Sequence, residues 1–67
     1  MTGKVKSYNN STRYGFITRN GEDYRFHNND WKLRLPPTVG LMVRFDPELT
    51  EKGLRAINIK EKCEYGK

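Results

Sequence analysis

The sequence predicts an all-β fold, five short antiparallel strands curled into one small barrel. Three observations predict it. Apolar and polar residues alternate with a period of two along several short stretches, Asn20-Gly21 is a hairpin dipeptide, and no window sustains helical periodicity. The 67 residues leave room for one domain only.

The first strand is centred on Lys4-Val5-Lys6-Ser7-Tyr8, where Val5 takes the opposite face to Lys4 and Lys6. Residues 14–19 and 22–27 form the second and third strands. Asn20-Gly21 joins them as a type I′ turn, which needs two residues that tolerate positive φ, so these strands pair antiparallel. Residues 28–37 read as a long connection with one short helical turn after Asn29 or Asp30, because Pro36-Pro37 forbids a helix or strand interior. Gly40 opens a fourth strand over residues 41–46, which Pro47 ends. Residues 48–53 read as a polar loop and residues 54–60 as the fifth strand.

Five strands of this length cannot fill a two-sheet sandwich, whereas a curled sheet buries a shared interior and removes its edges. The expected core is Val5, Ile17, Tyr24, Phe26, Val43, Phe45, Ile57 and Ile59. The domain is expected over residues 1–61, with residues 62–67 a flexible charged tail.

Side-chain alternation then sorts the aromatics. With Ile17 inward, Tyr14 and Phe16 share the outer face; with Tyr24 and Phe26 inward, Arg25 and His27 face out. The hairpin brings these four together, with Lys6 nearby. Exposing a large ring forgoes about 1.5–3 kcal/mol of burial, so such a patch implies a use. Bases of single-stranded nucleic acid stack on aromatic faces while cations track the phosphates. The plainer alternatives are that a ring covers a barrel end or packs under the 28–37 loop, and that Arg25 makes a cross-strand salt bridge.

Charge agrees with the first reading without deciding it. The net charge is +5. Residues 1–35 carry seven Lys and Arg against three Asp and Glu, hence +4, and residues 36–67 carry six against five, hence +1. The excess in one half points to a basic face rather than a uniform coat.

Other chemistries find no support. One cysteine, Cys63, and one histidine, His27, exclude a disulfide framework and a Cys/His metal centre, so no metal and no cofactor are expected. Ser7, Ser11 and Asp30 have no spacing that makes a triad with His27, and no enzyme activity is expected. Cys63 reads as an incidental thiol. No apolar run approaches the ~18 residues of a membrane span, and Met1-Thr2-Gly3-Lys4 leads into no signal core, so no membrane association is expected.

At Gly3-Lys4-Val5-Lys6 and Tyr14-Gly15-Phe16-Ile17 the chain resembles the cold-shock domain family. Members typically open with Gly-Lys-Val-Lys-Trp-Phe-Asn, followed by Lys-Gly-Phe/Tyr-Gly-Phe-Ile and then Val-Phe-Val-His-Phe. The likeness covers residues 2–60 and continues through Gly40, Val43-Arg44-Phe45, Gly53 and Ala56-Ile57-Asn58-Ile59. It implies a five-stranded Greek-key barrel of the oligonucleotide-binding kind (an OB-fold), in a cytoplasmic protein that binds single-stranded RNA or DNA. A nucleic-acid chaperone or a regulator of gene expression is implied, with a monomer expected and a weak dimer the alternative. Lys4, Lys6, Asn9, Tyr14, Phe16 and His27 fall on the family's contact positions, as does Tyr8 with a Phe-to-Tyr change.

The departures are equally specific. Ser7 stands where the family has Trp, Arg25 and Asn28 replace two Phe, Thr12 replaces Lys and Arg13 replaces Gly. Three stacking rings are missing. Arg25 can stack its guanidinium on a base or bind phosphate, and Arg13 adds a cation. Trp31 either folds over the same face or caps the barrel. The expected binder is weaker, more electrostatic and more salt-sensitive than a typical member. The alternative is a divergent barrel that has lost most nucleic-acid binding and contacts a protein.

Overall fold

The computed structural model describes residues 1–62 and contains the strands β1 (Thr2–Asn9), β2 (Tyr14–Arg19), β3 (Glu22–His27), β4 (Met42–Thr50) and β5 (Gly53–Glu61). They close into a barrel in the order β1-β2-β3-β5-β4. The all-β barrel expected from the alternation is what forms. Asn20 and Gly21, at φ 52° and 85°, make the turn between β2 and β3. The β3–β5 seam is the exception to antiparallel pairing: Arg25 meets Arg55 in parallel, and an isolated parallel bridge joins Trp31 to Ile59.

Two bulges set which side chains face the interior. In β1, Val5 pairs with Ile17 but Ser7 with Phe16, so β1 carries one extra residue there. Lys6 and Ser7 are both exposed, and Tyr8 turns inward to stack on Phe26, with ring centroids 6.0 Å apart. In β5 the pairs Asp46–Ile57 and Arg44–Lys60 again leave one extra residue, with Asn58 at φ 51°. This second bulge corrects one core assignment. Val5, Ile17, Tyr24, Phe26, Val43, Phe45 and Ile59 are buried as expected, but Ala56 fills the interior and Ile57 is only half-buried.

Pro47 does not end the fourth strand, and residues 48–53 are not a loop. β4 runs through Pro47 to Thr50 and pairs with β5 down to Thr50–Gly53. The reason lies in the edge. Phe45 N–H donates to the Met1 carbonyl at 2.8 Å, on the β1 side. Two residues on, Pro47 presents its nitrogen to that same side, past the end of β1, where no ladder bond is missed. The result is a long β4–β5 hairpin projecting beyond the barrel. The other differences are small: β4 begins at Met42, and the helical turn is a 3-10 turn at Asn28–Asp30, slightly earlier than expected. Residues 63–67, including Cys63 and most of the expected tail, lie outside the described residues.

The barrel end is closed by rings. Trp31 stacks on Phe26 at 5.5 Å, and its indole N–H donates to the Leu35 carbonyl at 2.6 Å, so it caps the core. Gly15 makes the space for Phe26. A Cβ at Gly15 would lie 2.7 Å from Phe26 Cζ and 2.5 Å from the Ser7 carbonyl oxygen. Gly15→Ala should therefore destabilise the fold by about 1–3 kcal/mol, the usual range for overpacking. Urea unfolding followed by Trp31 fluorescence measures this, and wild-type stability in the variant would contradict the close approach.

Candidate nucleic-acid interface

Alternation along β2 and β3 builds the face. Gly15 and Ile17 point in, which turns Tyr14 and Phe16 out with 44% and 39% of their surface exposed. Tyr24 and Phe26 point in, which leaves Arg25 and His27 half-buried at the outer surface. The hairpin register pairs Tyr14 with His27 and Phe16 with Arg25. The four residues expected to meet do meet. His27 lies edge-on to Tyr14 at 4.7 Å, and the Arg25 guanidinium sits 5.3 Å from the Tyr14 ring centroid. Arg25 makes this cation–π contact and no ion pair among the described residues.

His27 has a second task. Its Nδ1 accepts the Asn29 N–H at 3.0 Å and caps the 3-10 turn, so Nε2 is the nitrogen left for a ligand. Beside it opens a concavity of about 560 Å³. Tyr14, Arg25, Phe26, His27 and Asn29 line one side; Thr50, Glu51, Lys52 and Arg55, from the projecting hairpin, line the other. The hairpin residues were missed because Pro47 hid the strand that carries them. The available signal was Gly53, here at φ 116°, as the turn residue between two paired strands.

Acidic residues decide which cations are occupied. Lys6 Nζ lies 2.8 Å from the Asp23 carboxylate. The hydrogen bond from Lys6 holds the Asp23 carboxyl below its ordinary value against the opposing effect of burial, with the Lys6 charge and Thr18 helping. Arg55 bonds Asp30 at 2.9 Å and approaches Glu48 at 3.7 Å, and its pKa is raised, first by the Asp30 hydrogen bond and then by that carboxylate's charge. Lys4 is exposed on β1, between Thr18 and Met42 on the neighbouring strands.

The remaining expected contact residues gather elsewhere. Tyr8, Arg13 and Trp31 line a second concavity of about 500 Å³, together with Asn28, Arg34 and Pro36 among others. Asn9 is committed to its turn: Oδ1 accepts the N–H groups of Ser11 and Thr12, at 2.8 and 3.1 Å. Arg13 occupies the left-handed region at φ 67°, which explains why a glycine suits this position. The Arg13 carbonyl accepts the Asn28 N–H and ties the turn to the end of β3.

A closed five-stranded barrel with exposed rings and cations on one wall has the build of an oligonucleotide-binding domain. The family model of the 'Cold-shock' DNA-binding domain matches residues 1–62, and the chain belongs to that family. Its general function is therefore nucleic-acid binding, and the family is defined by that binding rather than by a reaction. No curated protein matches the chain. Among the described residues no helix is long and apolar enough to cross a membrane, and no group of three His, Cys, Asp or Glu could hold a metal ion.

The Lys6–Asp23 pair yields a prediction with a worked sign. Asp23 is lowered in the folded state, so the pair's contribution to stability is full above the ordinary aspartate range, near pH ~4. It is lost as pH falls through the lowered folded-state value. Asp23→Asn frees Lys6 at neutral pH. It should tighten oligonucleotide binding about two- to fivefold and steepen its salt dependence by roughly one phosphate contact. A titration series in sodium chloride reads both, and unchanged slope and affinity would show that Lys6 meets no phosphate.

Proposed function

We propose that the domain binds single-stranded RNA or DNA along the β2–β3 wall and serves in the cytoplasm as a nucleic-acid chaperone or regulator of gene expression. The observation that carries this reading is the joint exposure of Tyr14 and Phe16 beside His27 and Arg25, in a chain of net charge +5. Phe16 and Tyr14 stack bases, His27 offers Nε2, and Lys4 follows the phosphates, joined by Lys6 to the extent that a phosphate displaces Asp23. Tyr8, Arg13 and Trp31 border the neighbouring concavity, where a strand leaving the wall would run, and Asn9 shapes the turn beside it. Fewer rings than the family pattern and a positive surface make binding modest in strength and strongly dependent on salt.

Phe16→Ala tests this directly. Base–aromatic stacking contributes about 1–3 kcal/mol per base, so affinity for a short single-stranded oligomer should fall roughly five- to 150-fold. The ring is exposed enough that unfolding should move by only about 0.5 kcal/mol. In wild type, log affinity against log salt should slope by about −0.7 per neutralised phosphate on single strands. Absent binding at low salt, or a flat salt dependence, would overturn the reading and favour a protein partner on this face.

A further inference from the structure

We infer that the concavity between the β2–β3 wall and the tip of the β4–β5 hairpin selects guanine, with Arg25 and Glu51 as its specificity-determining residues. The inference rests on the single-strand-binding reading and names the base that this part of the wall prefers.

Arg25 is held but not neutralised. Its guanidinium carbon lies 5.3 Å from the Tyr14 ring centroid, a cation–π contact that uses none of its N–H donors. The nearby acids are engaged elsewhere, Asp23 by Lys6 and both Asp30 and Glu48 by Arg55. Among the described residues Arg25 has no ion pair, and neither has Glu51, which lines the same concavity. A donor fork and an acceptor pair therefore border one space of about 560 Å³, within the size range of small-ligand pockets.

A phosphate of the same strand can be met by Lys52 on the hairpin rim, which leaves the Arg25 and Glu51 pairing to face a base. A base is neutral, and only guanine matches both groups. It offers two adjacent acceptors, O6 and N7, to an arginine fork, and two adjacent donors, N1–H and N2–H, to a carboxylate. Adenine places an amino donor beside N7, where the fork needs an acceptor. Thymine and uracil flank their single N3–H with two carbonyls, which a carboxylate repels. Cytosine has one amino donor beside the N3 acceptor. Stacking on an aromatic face is open to all four bases, so discrimination falls to Arg25 and Glu51.

Fluorescence anisotropy with labelled seven-nucleotide thymine DNA, and with the same oligomer carrying one central guanine, tests the inference at one low salt concentration. The guanine oligomer should bind about tenfold more tightly. Replacing guanine by 7-deazaguanine, which lacks N7, should remove most of that gain. Replacing it by hypoxanthine, which lacks the N2 amino group, should remove part of it in wild type and none in Glu51→Ala. Arg25→Lys keeps the charge and loses the fork, so it should bring the guanine and thymine oligomers level while the salt slope stays the same. Equal binding of the two oligomers by wild type would overturn the inference, and so would a guanine preference that survives Arg25→Lys or is indifferent to 7-deazaguanine. The all-thymine oligomer separates the two levels: if it binds in a salt-dependent way while guanine adds nothing, only the base preference falls. If neither oligomer binds, single-strand binding falls with it.

Discussion

The ring of Phe26 closes the barrel at the end where Gly15 has no side chain to keep it out, with Tyr8 and Trp31 both stacked against it. Truncating a buried ring of this kind costs about 3–5 kcal/mol, a large share of the ~5 kcal/mol or so that a domain of this length commonly holds. The outer face follows from the same placement. A strand that drives Phe26 and Tyr24 inward must drive Arg25 and His27 outward, and the neighbouring strand that buries Ile17 must expose Phe16. The binding wall is thus the reverse side of the core.

Electrostatics then divides the wall's cations into occupied and open ones. Lys6 and Arg55 are partnered by carboxylates, and Arg25 is partnered by a ring. An exposed ion pair adds little to stability, but it changes which charges a ligand finds uncommitted. Asp30 illustrates the point. By bonding Arg55 across the seam between β5 and the 3-10 turn, it helps hold the hairpin against the barrel and leaves Arg25 without an acid. The concavity is thereby walled by two elements that the chain joins only through the long 28–41 segment and β4.

Much of this was legible in the sequence. Period-two alternation located the strands, Asn20-Gly21 fixed the β2–β3 register, and that register alone brought Tyr14, Phe16, Arg25 and His27 together. What escaped was whatever alternation cannot encode. A bulge is one extra residue with no composition of its own, so simple alternation from Val5 sends Tyr8 outward, whereas the bulge at Lys6 turns it onto Phe26. Ala56 and Ile57 exchanged roles for the same reason, and Asn58 was the one local sign, since Asn tolerates positive φ. Pro47 misled because its effect depends on which edge its nitrogen faces, a tertiary fact. The concavity was hidden with it, since Glu51 and Lys52 looked like loop residues rather than the tip of a hairpin.

The ladder also shows how the missing rings are distributed. Ser7, Phe16 and Arg25 form one row across β1, β2 and β3, and Asn9, Tyr14 and His27 form the next. Ser7 and Arg25 both stand where the family carries rings, so Phe16 is the single ring of its row, flanked by a small hydroxyl and a cation. A lone ring offers its face without neighbouring rings to share the contact, and its contribution should be nearly independent of theirs. The second row behaves differently, because Tyr14 touches His27 directly and Arg25 diagonally. Disturbing any one of those three shifts the other two. The wall therefore combines one isolated stacking position with one coupled cluster, and it is the coupled cluster that opens onto the concavity where orientation matters.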